Sequence, residues 1–383
     1  MRTAKLKDIT LTITDGKHGD CKNHDGSGYY FISCKDVYDE TIHYENARQI
    51  TEDDFRDADR RTNLAAYDIL ITNSGTIGRM ALVKDIPETR KTTFQKSVAI
   101  VRADTSQVVP NYLYYLLKSK VHDFINSSNG SAQKNLLLST MRDFDISFVD
   151  SFETQHRIAT ILSRYDSLIE NYQKQIRLLE EEAQRLYKEW FVDLHFPGHE
   201  NTKITDGVPE GWEKKKVGDI TPIKTGKKDA NFGKVDGSYP FFTCAQEPIK
   251  APSYSFDTSA VILAGNGDFN VKLYRGKFEA YQRTYVLEPT NEKMLYLLYF
   301  CISENMNRLA TGASGSTIKF LTKGMIESLV INEPSINVLN SFNHIIEPIR
   351  TQKENLQSQI RLLTEARDRL LPKLMDGDIN VES

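Results

Sequence analysis

Residues 176–186 read "IRLLEEEAQRL", and residues 360–370 read "IRLLTEARDRL". Extended upstream, residues 170–186, "ENYQKQIRLLEEEAQRL", face residues 354–370, "ENLQSQIRLLTEARDRL", with 11 of 17 positions identical. A helix written twice, 184 residues apart, is the mark of a duplicated module and not of a solenoid, whose periods run to about 20–50 residues.

The segments before each helix echo one another in the same order. "LKDIT" at residues 6–10 answers "VGDIT" at 217–221, followed by Gly16 and Gly226. "DILITNSGTIG" at 68–78 answers "AVILAGNGDFN" at 260–270, and "TTFQKSVAIV" at 92–101 answers "EAYQRTYVLE" at 279–288. "NYLYYLL" from Asn111 answers "EKMLYLLYF" from Glu292, and "NGSAQKNLLLSTMRDFDISFVD" at 129–150 answers "ASGSTIKFLTKGMIESLVINEP" at 313–334. Short β-branched runs bounded by Gly, Asn and Ser predict strands at 68–72, 97–102, 261–263 and 284–287. The fold class predicted is α+β: two β-rich mixed globules, each followed by a long helix, related by a pseudo-twofold internal repeat. The expected domains are 1–150, a first long helix at 151–192, a linker at 193–210, a second globule at 211–334, a second long helix at 335–377 and a tail at 378–383.

In the first helix the apolar positions Ile158, Ile161, Tyr165, Leu168, Tyr172, Ile176, Leu179, Ala183, Leu186 and Trp190 recur by threes and fours, with one stutter at Tyr172 to Ile176. The second offers Leu339, Phe342, Ile346, Ile349, Leu356, Ile360, Leu363, Leu370 and Leu374, with Pro348 and Pro372 expected to kink or divide it. An apolar seam needs a partner, and the simplest one is its own copy, running antiparallel. The expectation is a bar holding two globules apart; the plainer alternative packs each helix on its own globule.

Composition restricts the function. The net charge of −3 gives no global basic field, so any nucleic-acid contact must come from local loops or be shared with a partner. The longest apolar runs, such as "YLYYLL", fall far short of the roughly 20 residues a membrane span needs. The N-terminal "MRTAKLKDIT" has no apolar signal core, and no two of Cys21, Cys34, Cys244 and Cys301 make a CxxC pair; the expectation is a cytoplasmic protein with free thiols. His18, Cys21 and His24 stand three apart in "HGDCKNHDG", but the second module has no counterpart, so a polar loop is expected there and no metal. "GNGDFN" lacks the third glycine of a dinucleotide loop, and "TGASGSTIKF" lacks the Lys–Ser/Thr offset of a phosphate loop. No catalytic residue is assigned.

Two modules on one bar suit a reader of double-stranded DNA, because paired readers are set about one helical turn apart. Diverged modules predict an asymmetric two-part target with an unread spacer. Donors beside glycine mark candidate DNA-contacting loops: Lys17, His18, Asn73, Ser74, Thr76, Arg79, Lys91, Gln95, Lys96, Ser131, Gln133 and Lys134 in the first module. In the second they are Lys224, Lys227, Lys228, Asn266, Asn270, Lys272, Arg275, Gln282, Arg283, Ser316 and Lys319. Asn and Gln can bond adenine, Arg and Lys guanine, while lysines more often hold phosphates. Tyr187, Trp190 and Phe191 at the end of the first helix are either core or anchors for a partner protein.

The ending "RDRLLPKLMDGDI" at 367–379, "PEGWEKKKVGDI" at 209–220 and "ITDGKHGD" at 13–20 resemble the specificity subunit of type I restriction–modification systems over the whole chain, although the first module lacks a "PEGW" segment. The resemblance implies two target recognition domains on conserved spacer helices. It also implies a non-catalytic role, with two methyltransferase subunits docked and ATP-driven restriction subunits able to join. Cofactors would then belong to partners, S-adenosylmethionine to the methyltransferase and ATP with magnesium to the restriction subunit. The competing reading is a coiled-coil scaffold that reads no DNA.

Overall fold

The computed structural model describes residues 1–126, 135–313, 315 and 319–381. Ser131, Gln133, Lys134 and Ser316, all expected at the DNA, lie outside the described residues. The chain forms two compact units, residues 1–172 with 359–383, and residues 173–358.

In the first unit, β1 (Arg2–Lys5), β2 (Thr10–Asp15), β3 (Tyr30–Ile32), β4 (Ile69–Thr72), β5 (Met80–Leu82), β6 (Thr92–Phe94), β7 (Val98–Ala103) and β8 (Asp145–Phe148) make the β framework. Its main sheet is antiparallel in the order β2-β7-β4-β5; β3 and β6 pair in parallel, and β1 closes on β8. "ILI" at 69–71 and "VAIV" at 98–101 are apolar without a break because both faces are covered. Ile69, Ile71, Ala99 and Val101 enter one core cluster, while Leu70, Val98 and Ile100 enter another. Helix α1 (Glu52–Thr62) is capped by Thr51, whose hydroxyl accepts from the Asp54 amide at 3.3 Å, and helix α2 (Pro110–Ser119) buries Tyr112 to Leu117.

The second unit repeats this plan: β9 (Glu213–Lys216), β10 (Ile223–Thr225), β11 (Tyr239–Phe242), β12 (Ile249–Ala251), β13 (Phe256–Ala264), β14 (Val271–Ala280), β15 (Thr284–Leu287) and β16 (Val330–Glu333). The six-stranded order is β10-β15-β13-β14-β11-β12, with only β11–β14 parallel, and β9 pairs with β16 as β1 does with β8. Val261 and Leu263 face one cluster, Ala260 and Ile262 the other. Helix α3 (Leu295–Glu304) takes the place of α2.

The first long helix is Phe152–Tyr187, ending in a π turn at Lys188–Val192; the second, Ile336–Met375, passes through Pro348 and Pro372 undivided, so of the two expected effects, a kink or a division, division does not occur. Each core receives the start of one long helix and the end of the other. Ile158, Ala159 and Leu162 join Leu371, Leu374 and Met375 in the first unit. Ala183, Tyr187, Trp190 and Phe191 join Leu339, Phe342 and Ile346 in the second. Both the pairing of copies and the packing on globules therefore hold.

The two long helices run antiparallel within each unit. In the first, Arg157 donates to the Val381 carbonyl at 2.9 Å and Arg367 meets Asp166 at 2.6 Å. In the second, Glu180 meets Lys353 at 2.5 Å and the Trp190 ring lies 5.9 Å from Phe342. The seam departs from the expected register: Leu168 is 44% exposed, and Leu162 and Ile169 are buried instead. From Ile158 the buried or half-buried series runs through 162, 165, 169, 172, 176, 179 and 183, which moves the stutter to Ala183–Tyr187, just before the π turn. The helix follows the seam that its globules cover, and both Ile161 and Leu162 satisfied the pattern locally.

Candidate nucleic-acid interface

In both units three loops meet at one edge, joined by equivalent backbone hydrogen bonds. Gly16 N–H donates to Val98 O at 3.2 Å, and Gly226 N–H to Thr284 O at 3.2 Å. Asn73 N–H reaches Ser97 O at 3.0 Å, and Gly265 N–H reaches Arg283 O at 2.8 Å. Leu136 N–H donates to Asn73 O, and Leu321 N–H to Gly265 O, both at 2.8 Å. Glycine is required at the first contact, because a Cβ at Gly16 would lie 2.1 Å from Phe94 O and one at Gly226 1.9 Å from Ala280 O. These bonds also correct the sequence match by one residue: Gln95 and Ser97 correspond to Tyr281 and Arg283, so Gln95 and Gln282 are not equivalent. Ladder register decides this, with Ile71 opposite Ala99 and Leu263 opposite Tyr285.

The edge sorts the candidates. Arg79 and Lys96 in the first unit, and Lys227, Arg283 and Lys319 in the second, are exposed with no ion-pair partner among the described residues. Ser74 is half-exposed, its backbone bridged to Asn135, and Thr76 is exposed. Exposed Lys91 rests over the Tyr29 ring at 5.6 Å, and Gln95 bridges the backbone of Lys17.

Other candidates are engaged within the fold. Lys17 pairs with Asp57 at 3.0 Å and Asp54 at 3.7 Å, and its hydrogen bond to Asp57 raises the ammonium pKa. His18 meets Asp15 at 3.0 Å. Asn73 is buried. Lys224 pairs with Glu288 at 2.8 Å, Gln282 donates to Asp229 at 2.8 Å, and Lys228 sits over the Phe232 ring at 4.4 Å. Asn270 donates to Asp268 O at 2.7 Å and accepts from Lys272, which also holds Ala245 O at 2.9 Å; burial pushes the Lys272 pKa down.

Arg275 is corrected outright. It pairs in the ladder with Ser259, meets Glu347 of the second long helix at 3.1 Å and lies 5.3 Å from the Tyr296 ring centre, away from the loops. Tyr187, Trp190 and Phe191 are each 6% exposed and pack with Phe300, Phe342 and Trp212. They are core, since burial leaves no surface for them to offer as a docked hot spot. His18, Cys21 and His24 serve three separate contacts, Cys21 being buried among Phe31, Ile50 and Phe55.

Two features escaped the sequence reading. One is a charge network around the buried Arg367 of the first unit, which meets half-buried Glu40 at 2.8 Å and Asp166 at 2.6 Å, while Lys118 meets Glu40 at 2.6 Å and Tyr115 donates to Asp166. No local pattern announces a buried arginine whose partners are hundreds of residues away. The other is a cysteine at the loop edge of each unit, Cys34 and Cys244, for which the echo of "YFISC" at 30–34 in "PFFTC" at 240–244 was the available signal.

A family model described as the type I restriction modification DNA specificity domain matches residues 3–181 and again residues 209–359. The chain belongs to this family. Its two matches fall on the two repeats that the hydrogen bonds define. The type I restriction enzyme EcoDI specificity subunit of Escherichia coli is 37% identical over 179 residues, 46% of this chain and 40% of that relative. The type I restriction enzyme MjaIX specificity subunit of Methanocaldococcus jannaschii is 29% identical over 395 residues, 94% of this chain and 89% of the relative. A solved type I restriction–modification S subunit from M. genitalium shares the fold, with a TM-score of 0.58 at 16% identity, covering 98% of this chain and 96% of that one. The family is one of DNA specificity domains, which makes the loop edge of each module a candidate for sequence readout.

Proposed function

We propose that the chain is the DNA-reading subunit of a type I restriction–modification assembly, each module reading one part of an asymmetric two-part duplex target. One observation carries this: the loop edges share a backbone frame bond for bond but present different side chains. Ser74 stands where the second module has Asn266, Thr76 where it has Asp268, and Ser97 where it has Arg283. Base edges are distinguished by the donors and acceptors offered to them, so one frame with two side-chain sets reads two different half-sites. The exposed cations supply phosphate contacts that fix register. Their small number and the net charge of −3 suit a subunit that binds DNA firmly only in company.

The partners bind the long helices. Seven of the 11 identical helix positions are exposed in both copies, among them Arg177 and Arg361, Leu178 and Leu362, and Glu181 and Glu365. At 3.6 residues per turn these positions occupy one arc of about 160°. Burial cannot account for identity on an exposed face, whereas two copies of one partner can. That partner is the methyltransferase, which carries S-adenosylmethionine; ATP and magnesium belong to a restriction subunit that joins the same complex. The assembly works in the cytoplasm, where its DNA lies.

The test exchanges residues 1–150 for the corresponding module of another family member and maps methylated sites across a genome. One half of the target should change while the other stays. A change in both halves, or in neither, refutes the modular reading.

A further inference from the structure

Cys34 and Cys244 occupy the same place in the two modules. Each follows a strand that adds in parallel to the sheet framework, with Phe31 opposite Thr93 and Phe241 opposite Glu279. Each lies under the same glycine of the next loop. A Cβ on Gly75 would come 2.9 Å from Cys34 Sγ, and one on Gly267 would come 3.9 Å from Cys244 Cβ. Both glycines have positive φ, +75° and +69°, so the turn over each cysteine is built alike.

Each cysteine also binds neighbouring loop residues. Cys34 N–H donates to Ser97 Oγ at 3.1 Å, joining its strand to the turn before β7. The Cys244 thiol donates to Asn266 Oδ1 at 2.7 Å, and its carbonyl accepts from Asn270 Nδ2 at 3.2 Å. With Oδ1 engaged by the thiol, the Asn266 amide is oriented: its NH₂ has no partner among the described residues, and the side chain is half-exposed. An NH₂ donor is matched by base-edge acceptors, the N7 and O6 of guanine, the N7 of adenine or the O4 of thymine.

We propose that Cys34 and Cys244 are positioning residues for base reading, one in each module. Each sets the height of the glycine turn that faces DNA, and Cys244 also fixes which edge of Asn266 points outward. This rests on the reading of the loop edge as the DNA interface. The other two cysteines are 6% and 1% exposed at Cys21 and Cys301; burial raises both thiols, that of Cys301 to about 11, whereas Cys34 and Cys244 are half-exposed.

The experiment uses the full chain with its methyltransferase partner and maps methylated sites genome-wide for Cys34→Ala, Cys244→Ala and Cys244→Ser. Cys244→Ala should lower discrimination about tenfold at one position of one half-site. Cys244→Ser, which keeps a donor, should restore it, and Cys34→Ala should loosen only the other half. Melting temperatures should stay with the parent. N-ethylmaleimide should label Cys34 and Cys244 first, and cognate duplex should protect both. Unchanged methylation in the cysteine variants overturns the proposal, as does an equal loss in both halves or a loss that tracks melting temperature. Asn266→Ala and Ser74→Ala separate the two ideas. If they alter the target while the cysteine variants do not, positioning alone fails; if they too change nothing, the loop-edge reading fails with it.

Discussion

The two modules keep one frame and furnish it differently. Their sheets share ladder register and glycine approaches, yet the first unit places helix α1 beside its edge, with Asp54 and Asp57 drawing Lys17 inward. The second unit has instead the long β13–β14 hairpin, whose turn is stitched to the loop after β11 through Asn266, Asn270 and Lys272. Their charge networks differ as well. Arg367 is 6% exposed among Glu40, Asp166 and Lys118, whereas Arg275 is 32% exposed beside Glu347 and Arg350. Backbone ladders tolerate little change, because a one-residue slip turns every side chain to the other face, while loop side chains can be exchanged singly. Duplication followed by divergence thus leaves geometry common and chemistry particular.

This contrast can be broken first at the charge networks. Arg367→Met leaves half-buried Asp166 without its cation and half-buried Glu40 with Lys118 alone, and should cost about 2–3 kcal/mol, below the roughly 3–5 kcal/mol typical of breaking a fully buried pair. Arg275→Met, at a partly solvated pair, should cost about 1 kcal/mol or less. Denaturant unfolding of each variant measures the difference; equal losses would remove the asymmetry. The shared frame is tested next. Gly16→Ala and Gly226→Ala each force a methyl against a carbonyl and should destabilise by about 1–3 kcal/mol, to a similar extent in both modules. Calorimetry that found one glycine replaceable at no cost would show the frames to be less alike than their hydrogen bonds. The smallest effect on stability belongs to the helix faces. Leu178→Asp and Leu362→Asp, at leucines 52% and 57% exposed, should shift unfolding by under about 0.5 kcal/mol. Native mass spectrometry should nonetheless find one methyltransferase copy fewer for each; full complexes from both variants would assign that face another role.

The sequence revealed the repeat, two strands of each main sheet (β4 and β7, β13 and β15) and the loops that meet at each edge, because apolar runs and glycine placement act over a few residues, whereas β2, β5 and the long β14 went unpredicted. Within those loops it could not separate Arg79, Lys96, Lys227, Arg283 and Lys319, which remain exposed, from Lys17, Lys224 and Arg275, which acids elsewhere in the chain engage. A lysine beside a glycine looks the same in either case. Tyr187, Trp190 and Phe191 suited a core or a docking surface equally until packing against Phe300, Phe342 and Trp212 settled them as core.

By itself, then, the sequence determined that one module is written twice, with a long helix after each copy, since identity and periodicity are properties of the chain alone. Tertiary structure decided which seam residue is covered, that Arg367 is buried between Glu40 and Asp166, and that two cysteines 210 residues apart in number stand beneath equivalent glycines. Those outcomes depend on burial and on partners distant in sequence, and neither is encoded by the spacing of near neighbours.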